Sequence, residues 1–287
     1  MEDGMSIKSI LAPITGYEKS DGALVTGLLL ARRLGAFVDV LHVKPDPREA
    51  LRMLGEGAAG PVVADIMTMA EREGEARAKS AESLFGGACR AAKVVASGAN
   101  AGARFTAIVG RAPDEVAVRA RVHDLVLMCR SSDASEIDWR LILEAALIEG
   151  GRPILLLPAE RRDAVGKTIA LAWNGSLEAA RAATAALPLL AQAERVLILS
   201  GVKEAPVEPP VEALADWLGH HGIQAEQKHV ALKGWPVGEQ LVGEAAAAKA
   251  DFIVMGGYGH SRLRETIFGG ATRAVLNDAK LPVLLAH

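Results

Sequence analysis

The chain has 287 residues, half of them hydrophobic and 23% charged, with a formal net charge of −3 and an isoelectric point near 6.2. Domains of roughly 100–200 residues would make this one large or two ordinary units, with enough apolar content to bury a core and exclude global disorder. No basic run or field is available for nucleic acid or an anionic membrane, and two cysteines, Cys89 and Cys129, are too few for a disulfide framework or a cysteine-based zinc site.

Met1 to Lys8 is polar and lacks an apolar export core, and every later apolar stretch is broken by charge well short of the ~18 residues that a membrane helix needs. The chain is therefore expected in the cytoplasm. Ile10 to Ile14 is a short apolar run closed by Thr15-Gly16, a strand followed by a turn. Ala23 to Leu34 is an amphipathic helix and Val38 to Val43 a second strand. Pro45 to Ala103 is an extra segment, with Leu54 to Gly60 predicted as a flexible loop and Asp65 to Ala96 as a long helix, together an enlarged crossover or, as the alternative, a mobile cover over a site. Ile108-Val109-Gly110 precedes a further helix, and Asp124 to Met128 and Pro153 to Leu157 are strands. Both cysteines lie in apolar stretches, where a buried thiol is expected. Pro158 to Gly166 is charged and unpatterned, which places a boundary there: domains 1–160 and 161–287.

Beyond it the chain repeats itself. Ile169 to Gly175 echoes Ile10 to Gly16 at an offset of 159, and the helix Glu178 to Ala191 and strand Val196 to Val202 follow as before. Ala231 to Gly234 corresponds to Ile108 to Gly110. Asp251 to Met255 repeats Asp124 to Met128 at an offset of 127, and Pro282 to Ala286 repeats Pro153 to Leu157 at 129. Strands alternating with helices, twice over, predict an α/β architecture: two fused, doubly wound parallel-sheet domains with right-handed crossovers.

The segment richest in chemistry runs from Val254-Met255-Gly256-Gly257-Tyr258-Gly259-His260-Ser261-Arg262 to Gly269-Gly270-Ala271-Thr272. An apolar strand ends in glycines, and a helix-compatible run, Ala271 to Leu276, begins after the second glycine pair. Glycines let the backbone approach an anion without a Cβ in the way, and a helix start supplies unpaired N–H groups and partial positive charge. Phosphate suits such a cradle. No Gly-Lys-Ser/Thr opens the helix, so a Walker loop is excluded, and the split, late position is not that of a dinucleotide fingerprint.

The spacing Gly256, two residues, Gly259, nine residues, Gly269 resembles that of the nucleotide-binding universal stress proteins, with Gly270 where Ser or Thr is usual and Thr272 nearby. The resemblance implies a tandem form whose domains are Rossmann-like, of the adenine nucleotide alpha hydrolase type, joined as an internal pseudo-dimer in which Ile154 to Leu157 meets Val283 to Ala286. It also implies ATP or another adenine nucleotide in the second domain. Backbone groups at Gly259, Ser261 and 269–272 would hold the phosphates, with Arg262 and then His260 as side-chain donors; Asn174 and Val202 would border base and ribose, and Met255 would pack beneath. Asn174 stands where relatives carry Asp, and Ala172 where they carry Pro. Trp173 has two readings, a purine stack or core filling.

In the first copy, Thr15 holds the Asp position and no glycine occurs from 130 to 149, while Asp133, Glu136 and Asp138 bring acidic charge. That site is predicted not to bind nucleotide and to have a structural or protein-binding role, with a different, uncharged ligand as the alternative. The histidines form no metal pattern and are expected at the surface or at strand ends; Ser176 and Glu178 read as a helix cap and acidic first turn. No protein ligands for Mg were identified, no catalytic residue stands out, and ATP hydrolysis is expected to be slow at most. The reading is a stress-response binding module with unknown protein partners and a possible homodimer of the tandem chain; its rivals are a scaffold with both sites vestigial and a slow ATPase.

Overall fold

Strands such as Ile10–Ile14 and Leu125–Met128 carry no polar alternation, the pattern of a parallel strand covered by helices on both faces. A computed structural model describes residues 6–16, 21–47, 60–96, 102–130, 136–202, 207–231, 237–257, 275 and 280–287. It resolves two compact units, one comprising Lys8–Gly151 with Ala159–Arg162, the other Arg152–Pro158 with Asp163–His287 and the first seven residues.

The N-terminal unit runs β1 (Ser9–Ile14), α1 (Gly22–Leu34), β2 (Phe37–Lys44), α2 (Gly60–Ala92), β3 (Ala103–Val109), α3 (Ala112–Ala120), β4 (Leu125–Cys129) and α4 (Glu136–Glu144), which passes into a π-helical turn, Ala145–Glu149. Its strands lie in the order β3-β2-β1-β4, all parallel. The core is Ile10, Leu11, Leu24, Leu28, Leu125 and Leu127, each nearly inaccessible to solvent. Gly27 lets α1 lie directly on β4, since a β-carbon there would run into the side chain of Leu127. The inserted segment is the enlarged crossover that the sequence predicts, but its helix begins at Gly60 rather than Asp65 and ends at Ala92. Pro61 explains the earlier start, because a proline in the first turn fits a helix that has no use for its missing N–H. The rest of the expected loop, 54–59, lies outside the described residues.

The C-terminal unit opens with β5 (Ile154–Leu157), followed by β6 (Thr168–Trp173), α5 (Leu177–Leu190), β7 (Arg195–Val202), α6 (Val211–His220), β8 (Ala225–Ala231), α7 (Val237–Ala247), β9 (Phe252–Gly256) and β10 (Val283–Ala286). Strand order is β5-β10-β9-β6-β7-β8, parallel throughout except for the antiparallel pair β5 and β10. This is the meeting of last strands anticipated from the sequence, and its register places Leu155 opposite Leu284, its own counterpart in the repeat. All four residues of β5 are 0% exposed.

The repeat extends to individual hydrogen bonds. The carboxylate of Asp124 accepts from the backbone N–H groups of Lys8 and Ser9 (2.8 and 2.9 Å), and that of Asp251 accepts from Lys167 and Thr168 (3.1 and 2.9 Å). In each copy the residue just before the fourth strand ties down the start of the first. Of the second copy's last predicted helix only Val275 is described, and it is helical.

Candidate functional site

The chain leaves β6 toward β7 and β8 on one side and returns to β9 on the other. The carboxyl ends of β6 and β9 therefore flank the point where the winding reverses, the place where open α/β sheets take their ligands. At the end of β6, Ala172 is half-buried and Asn174 exposed. Asn174 Oδ1 accepts the N–H of Ser176 at 3.1 Å, and Ser176 Oγ accepts that of Ala179 at 3.2 Å, so the two side chains cap the start of α5 as the sequence predicts for Ser176. Glu178, in the first turn, is 2% exposed, a burial that its charge alone gave no reason to expect.

Trp173 is buried, and its indole N–H donates to the carbonyl of Pro209 (2.9 Å). Its ring borders a groove with Ala183, Thr184, Leu214 and Trp217, which gives it a core-filling place between α5 and α6. Met255 is buried within β9, and the Val202 backbone lies in β7 in register with Ala231. Gly256 ends β9 against the first turn of α5: a β-carbon there would stand 2.5 Å from the Ala179 nitrogen and 2.7 Å from the carbonyl carbon of Glu178. Close packing accounts for this glycine before any ligand is considered. Gly259, His260, Ser261, Arg262, Gly269, Gly270, Ala271 and Thr272 lie outside the described residues.

The N-terminal unit has the equivalent reversal between β1 and β4, and a cavity of about 260 Å³ opens there. Ile14 and Thr15 border it from β1, His42 from β2, Met128 and Cys129 from β4, Val116 from α3, and Trp139 from α4. The inserted helix α2 contributes Arg77. Trp139 is fixed by its indole N–H, which donates to the Cys129 carbonyl at 2.6 Å. Of the two thiols expected to be buried, Cys89 is, and burial pushes it above the usual thiol range despite the opposing charge of Arg90; Cys129 is only half-buried, because its strand ends at the cavity.

Of the two places expected for the histidines, the surface and strand ends, two of them take the second and are buried there. His42 is 1% exposed, and His123, at 8%, is held between the Arg119 carbonyl (2.8 Å) and the carboxylate of Asp39 (3.1 Å). The sequence signal for His42 was a polar ring inside an apolar strand, near the end where ligands bind. His220 and His221 are exposed, as expected. Buried Ser200 shares a hydrogen bond with His229 Nδ1 (3.0 Å) across β7 and β8, but among the described residues no carboxylate bonds this histidine to complete a nucleophilic triad. Among the described residues, no group of three or more His, Cys, Asp and Glu could hold a metal ion, and no helix is long and apolar enough to cross a membrane.

Residues 166–287 match the model of the universal stress protein family. Over the full length, the chain has the fold of a universal stress protein from Archaeoglobus fulgidus DSM 4304, at 16% identity, a TM-score of 0.67 and coverage of 98% of this chain and 96% of that one. A functionally unknown protein from Pseudomonas aeruginosa PAO1 is also similar (16% identity, TM-score 0.58, 98% and 92% covered). So is the cytoplasmic domain of a prokaryotic cation chloride cotransporter (10% identity, TM-score 0.51, 97% and 95% covered), which shows that the fold alone does not settle a function. No curated protein sequence matches the chain.

Proposed function

We propose that the second domain, 161–287, binds an adenine nucleotide, ATP in the first place, and that its nucleotide state alters contacts with protein partners in a cytoplasmic stress response. The observation that carries this reading is the winding reversal between β6 and β9, with the glycine-spaced sequence that follows β9 lying in a segment that matches the universal stress protein family. Backbone N–H groups at Gly259, Ser261 and 269–272 would hold the phosphates, joined by Arg262 and His260; Asn174 and Val202 would border the base and ribose above Met255. Rapid phosphoryl transfer would also need a positioned water and a metal or cation on the transferring group. The loop offers Arg262 and His260 but no carboxylate from 256 to 262, so Mg would come with the nucleotide and turnover would be slow or absent.

Equilibrium dialysis should find one equivalent of ATP per chain, and replacing Gly269 by a bulky residue should abolish retention. Hydrolysis at a typical enzyme rate of ~10 per second would move the protein to the enzyme class. One observation favours the scaffold reading: the Asn174 oxygen that would face the nucleotide already holds the turn into α5. If no nucleotide binds under any condition, that reading stands.

A further inference from the structure

We infer that the N-terminal unit carries a second ligand site, for a small neutral aromatic compound with a hydrogen-bond donor, read by His42 in the cavity at the ends of β1, β2 and β4. His42 is 1% exposed and its Nδ1 lies 3.1 Å from the Ile14 carbonyl oxygen. A carbonyl can only accept, so Nδ1 carries the proton and, in the neutral ring, Nε2 is a bare acceptor. That nitrogen is buried without a hydrogen-bond partner among the described residues, although its residue borders the cavity. A buried polar atom left unmatched is costly, and native structures leave few. A ligand N–H or O–H would complete it.

The rest of the cavity sets the size and charge of that ligand. Its volume, about 260 Å³, exceeds that of the ~150 Å³ apolar cavity that admits benzene and leaves room for a fused two-ring system. Val116, Met128 and Trp139 offer flat or polarizable apolar surface, and a methionine sulfur favours aromatic neighbours. The two arginines at the cavity are each paired with a carboxylate, Arg77 with Glu73 and Arg111 with Asp114 (2.8 Å), which offsets their positive charge. No glycine occurs from 130 to 149 to bring backbone close to phosphate, which separates this site from the nucleotide site of the other unit.

The test uses the whole chain and indole as probe, with benzofuran, the same shape lacking the N–H, as comparison. Calorimetry should show indole bound at least ~10-fold more tightly than benzofuran, the scale of one buried acceptor satisfied or left bare. His42→Phe should remove the difference. Cys129 supplies a readout independent of that variant: indole should slow its alkylation by iodoacetamide, whereas Cys89, buried, should react slowly with or without the probe. ATP should not displace indole. Equal affinity for the two rings would overturn the role of His42, absence of both binding and protection would overturn the site, and displacement by ATP would make it a nucleotide site instead.

Discussion

Gly256→Ala isolates what the glycine at the end of β9 does. The added β-carbon would meet three atoms of the first turn of α5 at 2.5, 2.7 and 2.9 Å, and two of them are backbone. A flexible side chain could swing away, but the start of a capped helix cannot, so β9 or α5 must shift. Overpacking of this kind costs about 2 kcal/mol, which for a unit of this size lowers the melting temperature by roughly 8 °C. Gly243→Ala is the matched control: Gly243 lies inside α7, and a β-carbon there meets nothing within 4 Å. The same chemical change at that exposed position should stabilise by roughly 0.5–1 kcal/mol through helix propensity alone. Circular dichroism melts of both variants, recorded without nucleotide, should therefore move in opposite directions. If Gly256→Ala melts at or above the parent temperature, the close packing of β9 on α5 is wrong, and the glycine must be explained by its ligand.

The paired strand ties give a second expectation: Asp124→Ala and Asp251→Ala should each lose about 1–2 kcal/mol in urea denaturation, since each strips the acceptor from two backbone N–H groups. Burial raises the carboxyl of Glu144 above its ordinary 4.5, outweighing the charge of Arg140. A raised acid contributes stability when protonated and loses it as pH rises through its folded value, so Glu144→Gln should melt above the parent at pH 7, with the gap closing as pH falls toward 4. Unchanged melting at both pH values would refute this. On the proposed function, Gly259→Asp should abolish ATP binding, as dialysis would show, by adding a side chain and negative charge where the phosphates are proposed to sit.

The architecture was legible wherever it rests on repeated pattern. Asp124 to Met128 and Asp251 to Met255 look alike in sequence because each strand is buried on both faces and each aspartate has the same two N–H groups to hold. Periodicity also found the inserted helix but misplaced its start, which depends on Pro61 rather than on the amphipathic stripe. The site was less legible because spacing does not report which neighbour a residue meets. Gly256 fits a phosphate pattern, yet its absent side chain is required by α5; Asn174 fits a base-edge position, yet its oxygen holds Ser176. His42 and Cys129 looked ordinary, since only the folded ends of β2 and β4 bring them to one cavity.

The pairing of β5 with β10 also bears on the order in which a ribosome delivers the chain. Ile154–Leu157 emerges as soon as the first repeat has been made, but the strand that covers it, Val283–Ala286, comes only after the whole second repeat. Until then the edge of this apolar strand that β10 covers stays open, the kind of surface that recruits neighbouring nascent chains or a chaperone. A gene fragment cut between the repeats would make that interval permanent: its product would keep β5 and never receive β10.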